Sequence, residues 1–142
     1  MKLANASAAA AWRQEFLDSL VTELKLTSRV IVSSFNLAAI DAVRRAEPDV
    51  ATGWLTVSGY DQHRALATAA ERGHGALHPH HSAVTPDLVV AAHDLGLALN
   101  TWTVDDPARM VELAGWGVDT IITNVVEVAV GVLRPTRPST DR

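Results

Sequence analysis

Apolar positions in this chain switch between a helical period and short unbroken runs. Residues 6–24 place Trp12, Phe16, Leu17, Leu20, Val21 and Leu24 on one stripe and predict an amphipathic helix. Residues 29–36 are different: Val30, Ile31 and Val32 follow one another directly, which suits a strand buried on both faces. Asn36 is placed to cap a helix over 37–46, a strand spans 51–57, and Asp61 caps a helix over 62–72 that Gly73 ends. A short strand follows Gly75. Thr85 and Pro86 then open a helix over 87–95, with Thr85 as N-cap and Pro86 where its missing N–H costs nothing, and Gly96 closes it as a left-handed cap. Residues 97–104 read as another fully buried strand. Asp105 or Asp106 caps the next helix, Pro107 opens it, and Gly115 to Gly117 close it before a strand over 118–123. Asn124 begins a last helix over 125–133, with Glu127 placed for a capping box, and the Pro-containing stretch 134–142 predicts a disordered tail.

A leading helix followed by five strands, each with its own helix, predicts an α/β protein built on a parallel sheet. At 142 residues one domain is expected, and a hydrophobic content of 48% supplies a sizeable core. The net charge of −4 argues against a nucleic-acid or anionic-membrane surface. With no Cys there are no disulfides, thiolate metal sites or Cys nucleophiles. No charged-then-apolar leader and no apolar run near membrane-spanning length is present, so the expectation is a soluble, cytoplasmic protein.

Candidate chemistry is sparse. Three of the six His fall within four residues, at His78, His80 and His81, after a short strand. A metal site there needs further ligands converging from other elements, usually a carboxylate. The alternatives are that His78 or His80 contacts a substrate or phosphate, or that the segment is a solvated His-rich loop.

Two stretches carry a resemblance. Trp102-Thr103-Val104-Asp105, followed by Gly117-Val118-Asp119-Thr120-Ile121-Ile122-Thr123-Asn124, resembles the last two strands of the glycerophosphodiester phosphodiesterase family. That family's pattern is Trp-Thr-Val-Asn/Asp and then Gly-Val-Asp-Gly-Ile-Ile-Thr-Asp. Thr120 replaces the usual Gly and Asn124 the usual Asp. Ser33-Ser34-Phe35 resembles the family's Ser-Ser-Phe strand end, and Gly53-Trp54-Leu55 continues the likeness. The resemblance covers residues 1–133 and implies a partial TIM-type (β/α) barrel, namely strands four to eight. A complete barrel takes about 250 residues, so this chain has room for little more than half of one.

Members of that family hydrolyse glycerophosphodiesters to an alcohol and glycerol 3-phosphate with a divalent cation, Mg or Ca. Their His-Arg-Gly, Glu-x-Asp, second His and the Glu of Glu-x-Lys lie on the first three strands, and none has a counterpart here, so the metal ligands are absent from this chain. Lys2 stands at about the family's distance before the Trp12 helix and is the candidate for the catalytic lysine. Glu23-Leu24-Lys25 reads as a solvated helix terminus and Glu47-Pro48-Asp49 as a turn on the opposite face of the barrel. Residues at the carboxyl ends of barrel strands face the active site. The resemblance therefore implies a substrate wall of Ser34, Phe35 and Trp102, with His78 and Asn124 as further contacts and the last helix N-terminus, near Val125 and Val126, receiving phosphate. For Ser33 a turn-satisfying role is expected. The implied partners are the glycerophosphodiester and either an N-terminal half or a second copy of the chain. Three readings follow: a split or truncated phosphodiesterase half that is inactive alone, a non-catalytic half-barrel that binds a partner or ligand, and a degenerate remnant.

Overall fold

Helices start and stop where short polar side chains and glycines allow. In the computed structural model, which describes residues 29–134, Asn36, Asp61 and Thr85 each accept a hydrogen bond from the backbone N–H three residues on (Ala39, Arg64 and Leu88). They open α1 (Leu37–Ala46), α2 (Gln62–Glu71) and α3 (Pro86–Asp94). Gly73, Gly96 and Gly117 lie after helix ends at φ 72, 71 and 89, the left-handed region a side chain resists. Between two acidic candidates the fold chooses: Asp106 caps α4 (Pro107–Gly115) by accepting from Ala108. Asp105 is left for a longer-range role described below.

The intervening segments form β1 (Ile31–Ser34), β2 (Ala51–Thr56), β3 (Ala76–Pro79), β4 (Ala98–Thr101) and β5 (Thr120–Ile121). All pair in parallel and in sequential order, β1-β2-β3-β4-β5. That order, with one helix per connection, is the winding of a TIM-type barrel and lacks the strand-order reversal of a doubly wound sheet. The result is an open five-stranded arc with a helix after each strand, ending in α5 (Val126–Leu133). β5 is two residues long, and one side of it meets no strand among the described residues. The Glu47–Asp49 segment is a turn, closed by the Val50 N–H on the Glu47 carbonyl at 3.1 Å.

Two expectations at the C-terminal end are corrected. Asn124 does not cap α5, whose N-cap is Val125 with no side-chain hydrogen bond, and no capping box with Glu127 forms. Asn124 is instead drawn away by Asp105, a tertiary contact across 19 residues. The expected helix at 6–24, Lys2, Glu23-Leu24-Lys25 and most of the tail lie outside the described residues.

Period-two alternation divides each strand between two layers. Trp54, Leu77 and Leu99 face the helices and join Leu66, Leu88 and Met110 in one core. The opposite row carries Ser33, Gly53, Leu55, His78, Asn100 and, past the strand ends, Phe35 and Trp102. Ser33 is in register with Gly53, and Leu55 with His78. No helix among the described residues is long and apolar enough to cross a membrane.

Candidate functional site

At the carboxyl ends of β1, β3 and β4 the row away from the helices rises into an aromatic cluster. Phe35 meets Trp102 edge-on at 5.4 Å between ring centroids, and Trp102 meets His80 in the same way at 5.1 Å. His81 tilts against His80 at 4.5 Å. Such edge contacts are favoured because the positive rim of one ring meets the negative face of the next. The indole N–H of Trp102 donates to the His78 carbonyl at 2.8 Å, which fixes the ring relative to β3. Backbone pairing continues past the strands: the His81 N–H donates to the Trp102 carbonyl, and His80 and Trp102 form an isolated parallel bridge. Phe35 is 45% exposed.

The loop carrying His80 and His81 is held from outside. Arg109 of α4 donates to the carbonyls of His81 and Val84 and packs over the Trp116 ring. Its remaining charge meets Glu112 one turn on. His80 is further oriented by Ser82, whose backbone N–H donates to Nδ1 at 3.3 Å and whose hydroxyl lies at 2.8 Å. With Nδ1 used as an acceptor the ring proton sits on Nε2, the nitrogen left to meet a ligand. Burial, with the neighbouring His80 and Arg109, lowers the pKa of His81.

Directly below, at strand depth, lies a buried polar pair. His78 is in β3 and 2% exposed, so the solvated-loop reading fails for it. Its Nε2 lies 3.0 Å from Nδ2 of Asn100 on β4. Asn100 is 7% exposed. Gly53 on β2 leaves room for the imidazole: a Cβ there would sit 2.3 Å from His78 Nε2. Burial pushes the His78 pKa down to about 4. Neither Asn100 nor Gly53 was among the sequence candidates. A glycine inside an apolar strand is the signal that could have found the close approach.

The remaining candidates stand elsewhere. Ser34 pairs with Trp54 in the helix-facing row and is fully buried, and its hydroxyl accepts from the Asn36 N–H at 3.0 Å. It is Ser33 that lies on the row of Gly53. Asn124 belongs to a second constellation, in the loops after β4 and β5. There the Asp105 carboxylate accepts from the Thr123 hydroxyl (2.9 Å), the Asn124 N–H (2.8 Å) and the Asn124 side-chain amide (2.8 Å). Hydrogen bonds from Asn124 and then Thr123 hold the Asp105 pKa below its ordinary value. A carboxylate already bonded at the approach to α5 opposes a second anion near Val125 and Val126. Asp119 makes a matching tie at the other end of the sheet, accepting from the Leu99 N–H at 2.8 Å and facing His93 at 2.9 Å. So Trp102, Asp105, Asp119 and Asn124, the most distinctive residues of the two motif stretches, are joined through β4 and β5.

Among the described residues no group of three or more His, Asp or Glu side chains could hold a metal ion. They do not fit a metal centre by themselves.

The model of the glycerophosphoryl diester phosphodiesterase family matches residues 2–128. The chain belongs to that family. A glycerophosphodiester phosphodiesterase of Caldanaerobacter subterraneus subsp. tengcongensis is 32% identical over 123 residues, 85% of this chain and 49% of that protein. The solved glycerophosphodiester phosphodiesterase of Parabacteroides distasonis superposes with a TM-score of 0.75 at 28% identity, over 92% of this chain and 54% of that one. An Oleispira antarctica phosphodiesterase, solved with its product sn-glycerol-3-phosphate, shares the fold at 19% identity with a TM-score of 0.66, over 86% of this chain and 51% of that one. The chain thus spans about half the length of these glycerophosphoryl diester phosphodiesterases, and its open arc corresponds to part of their barrel.

Proposed function

We propose that this chain forms one wall of a glycerophosphodiester phosphodiesterase pocket, the wall that holds the organic part of the substrate. The carrying observation is the edge-to-face run Phe35–Trp102–His80 at the carboxyl ends of the strands, the end at which barrel enzymes bind substrate. Phe35 and Trp102 offer apolar surface to the glycerol or alcohol moiety. His80, with Nδ1 held by Ser82, presents Nε2–H as a donor to a substrate oxygen. Ser34, His78 and Asn124 belong to the same wall in this reading, Ser34 and Asn124 by shaping the loops that carry it. Lys2 stays the candidate for the family's lysine.

The overall reaction is hydrolysis of the diester to an alcohol and glycerol 3-phosphate, by resemblance to relatives such as the Oleispira antarctica enzyme with its bound product. The family is in general metal-dependent, and Mg or Ca is the cation we assign. Its ligands, and the groups that exchange protons, come from a second βα portion that pairs with this one. The edge at β5, which meets no further strand among the described residues, and the Val-rich α5, with Val126 62% exposed, support such pairing or, failing a partner, self-association. We place the protein in the cytoplasm.

The test is titration of the full chain with sn-glycerol 3-phosphate, followed by isothermal calorimetry and tryptophan fluorescence. Trp102→Ala is expected to weaken binding by about 1–3 kcal/mol, the worth of a packed aromatic contact. Co-expression with the first three strands of a relative should add metal-dependent turnover. Binding that is indifferent to both Trp102→Ala and Phe35→Ala would remove the aromatic cluster from the site.

A further inference from the structure

Besides His81 Nδ1 in the aromatic cluster, two buried polar atoms beneath it make no hydrogen bond: His78 Nδ1 and Asn100 Oδ1. Both belong to the single side-chain pair that crosses from β3 to β4. An amide nitrogen can only donate, so with the amide oriented as in the structure His78 Nε2 accepts and the ring proton is on Nδ1. The pair therefore carries one unspent donor, Nδ1–H, and one unspent acceptor, Oδ1. Leaving such groups buried and unpaired costs about 1–3 kcal/mol each, which is why native interiors rarely do so without a use for them.

Position gives the use. His78 and Asn100 precede His80 and Trp102 by two residues on their strands, so they lie on the same face about 7 Å deeper. Phe35, Trp102 and His80 form the rim of the wall, and this pair lies beneath it. Gly53 is part of the device, because any side chain there would occupy the space of the imidazole.

We propose that His78 and Asn100, seated against Gly53, are the polar floor of the pocket and recognise a hydroxyl group of the ligand's glycerol moiety. The inference rests on the glycerophosphodiester reading of the pocket. A hydroxyl both accepts and donates, so it can satisfy an N–H and an amide oxygen. A phosphate oxygen only accepts and would leave Asn100 Oδ1 unpaired. Burial keeps the imidazole uncharged at neutral pH, so the floor offers no cation to offset a buried anion. The floor thus selects the polyol end of the molecule and sends the phosphate elsewhere.

The experiment compares sn-glycerol 3-phosphate with propyl phosphate, which keeps the phosphate and chain length and lacks the hydroxyls, on the full chain and on His78→Leu, His78→Gln and Asn100→Leu. The expected result is a loss of at least tenfold in glycerol 3-phosphate affinity for both Leu variants and little change for propyl phosphate. His78→Gln, which keeps an N–H donor, should recover part of the loss. In parallel, ¹⁵N NMR of the wild-type ring should show Nδ1 protonated and shifted by glycerol 3-phosphate but not by propyl phosphate, a readout that does not depend on how well the variants fold. Equal losses for both ligands, or an Nδ1 signal unmoved by glycerol 3-phosphate that does bind, overturns the floor while leaving the pocket in place. If the wild-type chain binds neither compound, the pocket reading falls and the floor with it.

Discussion

Gly53→Ala is the substitution that best tests how β2, β3 and β4 fit together. The added methyl would lie 2.3 Å from His78 Nε2 and 2.8 Å from both Cδ2 and Cε1, closer than real carbon contacts come. His78 is buried in a strand and cannot swing aside as the tip of a flexible side chain would. Overpacking of this kind costs about 1–3 kcal/mol. Moving the ring also breaks the His78–Asn100 contact and strands its buried partners, for about another 1–3 kcal/mol. Against this, replacing Gly restricts the unfolded chain and returns roughly 0.4–1 kcal/mol. Steric and polar losses win, with a net destabilisation of about 1–5 kcal/mol out of a total stability on the order of 5–15. Urea unfolding followed by tryptophan fluorescence at pH 7 measures it. The companion is Gly53→Ala combined with His78→Ala, in which the methyl enters the space the ring vacates. The double variant should be no less stable than His78→Ala alone, a strong departure from additivity. Gly53→Ala within about 0.5 kcal/mol of wild type, or strict additivity in the pair, would refute the stacked arrangement.

Two further outcomes can be checked. Acid should destabilise the protein through His74 and His78, whose pKa values are lowered chiefly by burial. The unfolded state takes up protons first, so stability is full above the ordinary histidine value of about 6.5 and falls as pH drops toward the folded values; the lowering of His78 to about 4 alone corresponds to about 3 kcal/mol. His78→Gln should flatten the pH profile of urea stability, and a profile unchanged between pH 7 and 4.5 would count against it. In the other constellation, Asn124→Asp sets a second carboxylate against Asp105 and should lower the melting temperature at pH 7, whereas the exchanged pair Asp105→Asn with Asn124→Asp should recover most of it. A single Asn124→Asp variant that melts with wild type would show that the contact carries nothing.

Local signals in the sequence were sufficient for the alternation of strands and helices. Asn36, Asp61 and Thr85 cap through their own side chains to the next turn, and such contacts are written in the spacing. Strand ends were less legible. The apolar run 97–104 predicted eight residues, while β4 covers Ala98–Thr101 and Trp102 adds a single bridge to His80, because a strand extends only as far as its neighbours do. Phe35 and Trp102 were visible as strand-end aromatics, yet their contact, and the part of His80 in it, depends on how β1 and β4 approach across the arc. Asn124 illustrates the limit. Its position before an apolar helix predicted a cap, and a carboxylate 19 residues away took its amide instead. Thr52, His74 and Asp41 form a similar hidden tie, with the His74 ring bonded on both sides between β2 and α1. Nothing in their spacing announces it.

The two depths of the proposed pocket meet at one residue through different atoms. The backbone carbonyl of His78 accepts the Trp102 indole and so positions the rim, while its side chain joins Asn100 in the floor. A substitution at residue 78 keeps the carbonyl and with it the rim. This separation makes the wall chemically legible: Trp102→Ala removes apolar contact common to any ligand, whereas His78→Leu removes the polar pairing with Asn100 and with it what a hydroxyl can use. Rim and floor therefore predict different selectivity. A ligand with a bulky alcohol and no free hydroxyl should depend on Trp102 alone, while glycerol 3-phosphate should depend on both. If each ligand loses affinity equally on both substitutions, Trp102 and His78 act as one packing unit and the division into an apolar rim and a polar floor is wrong.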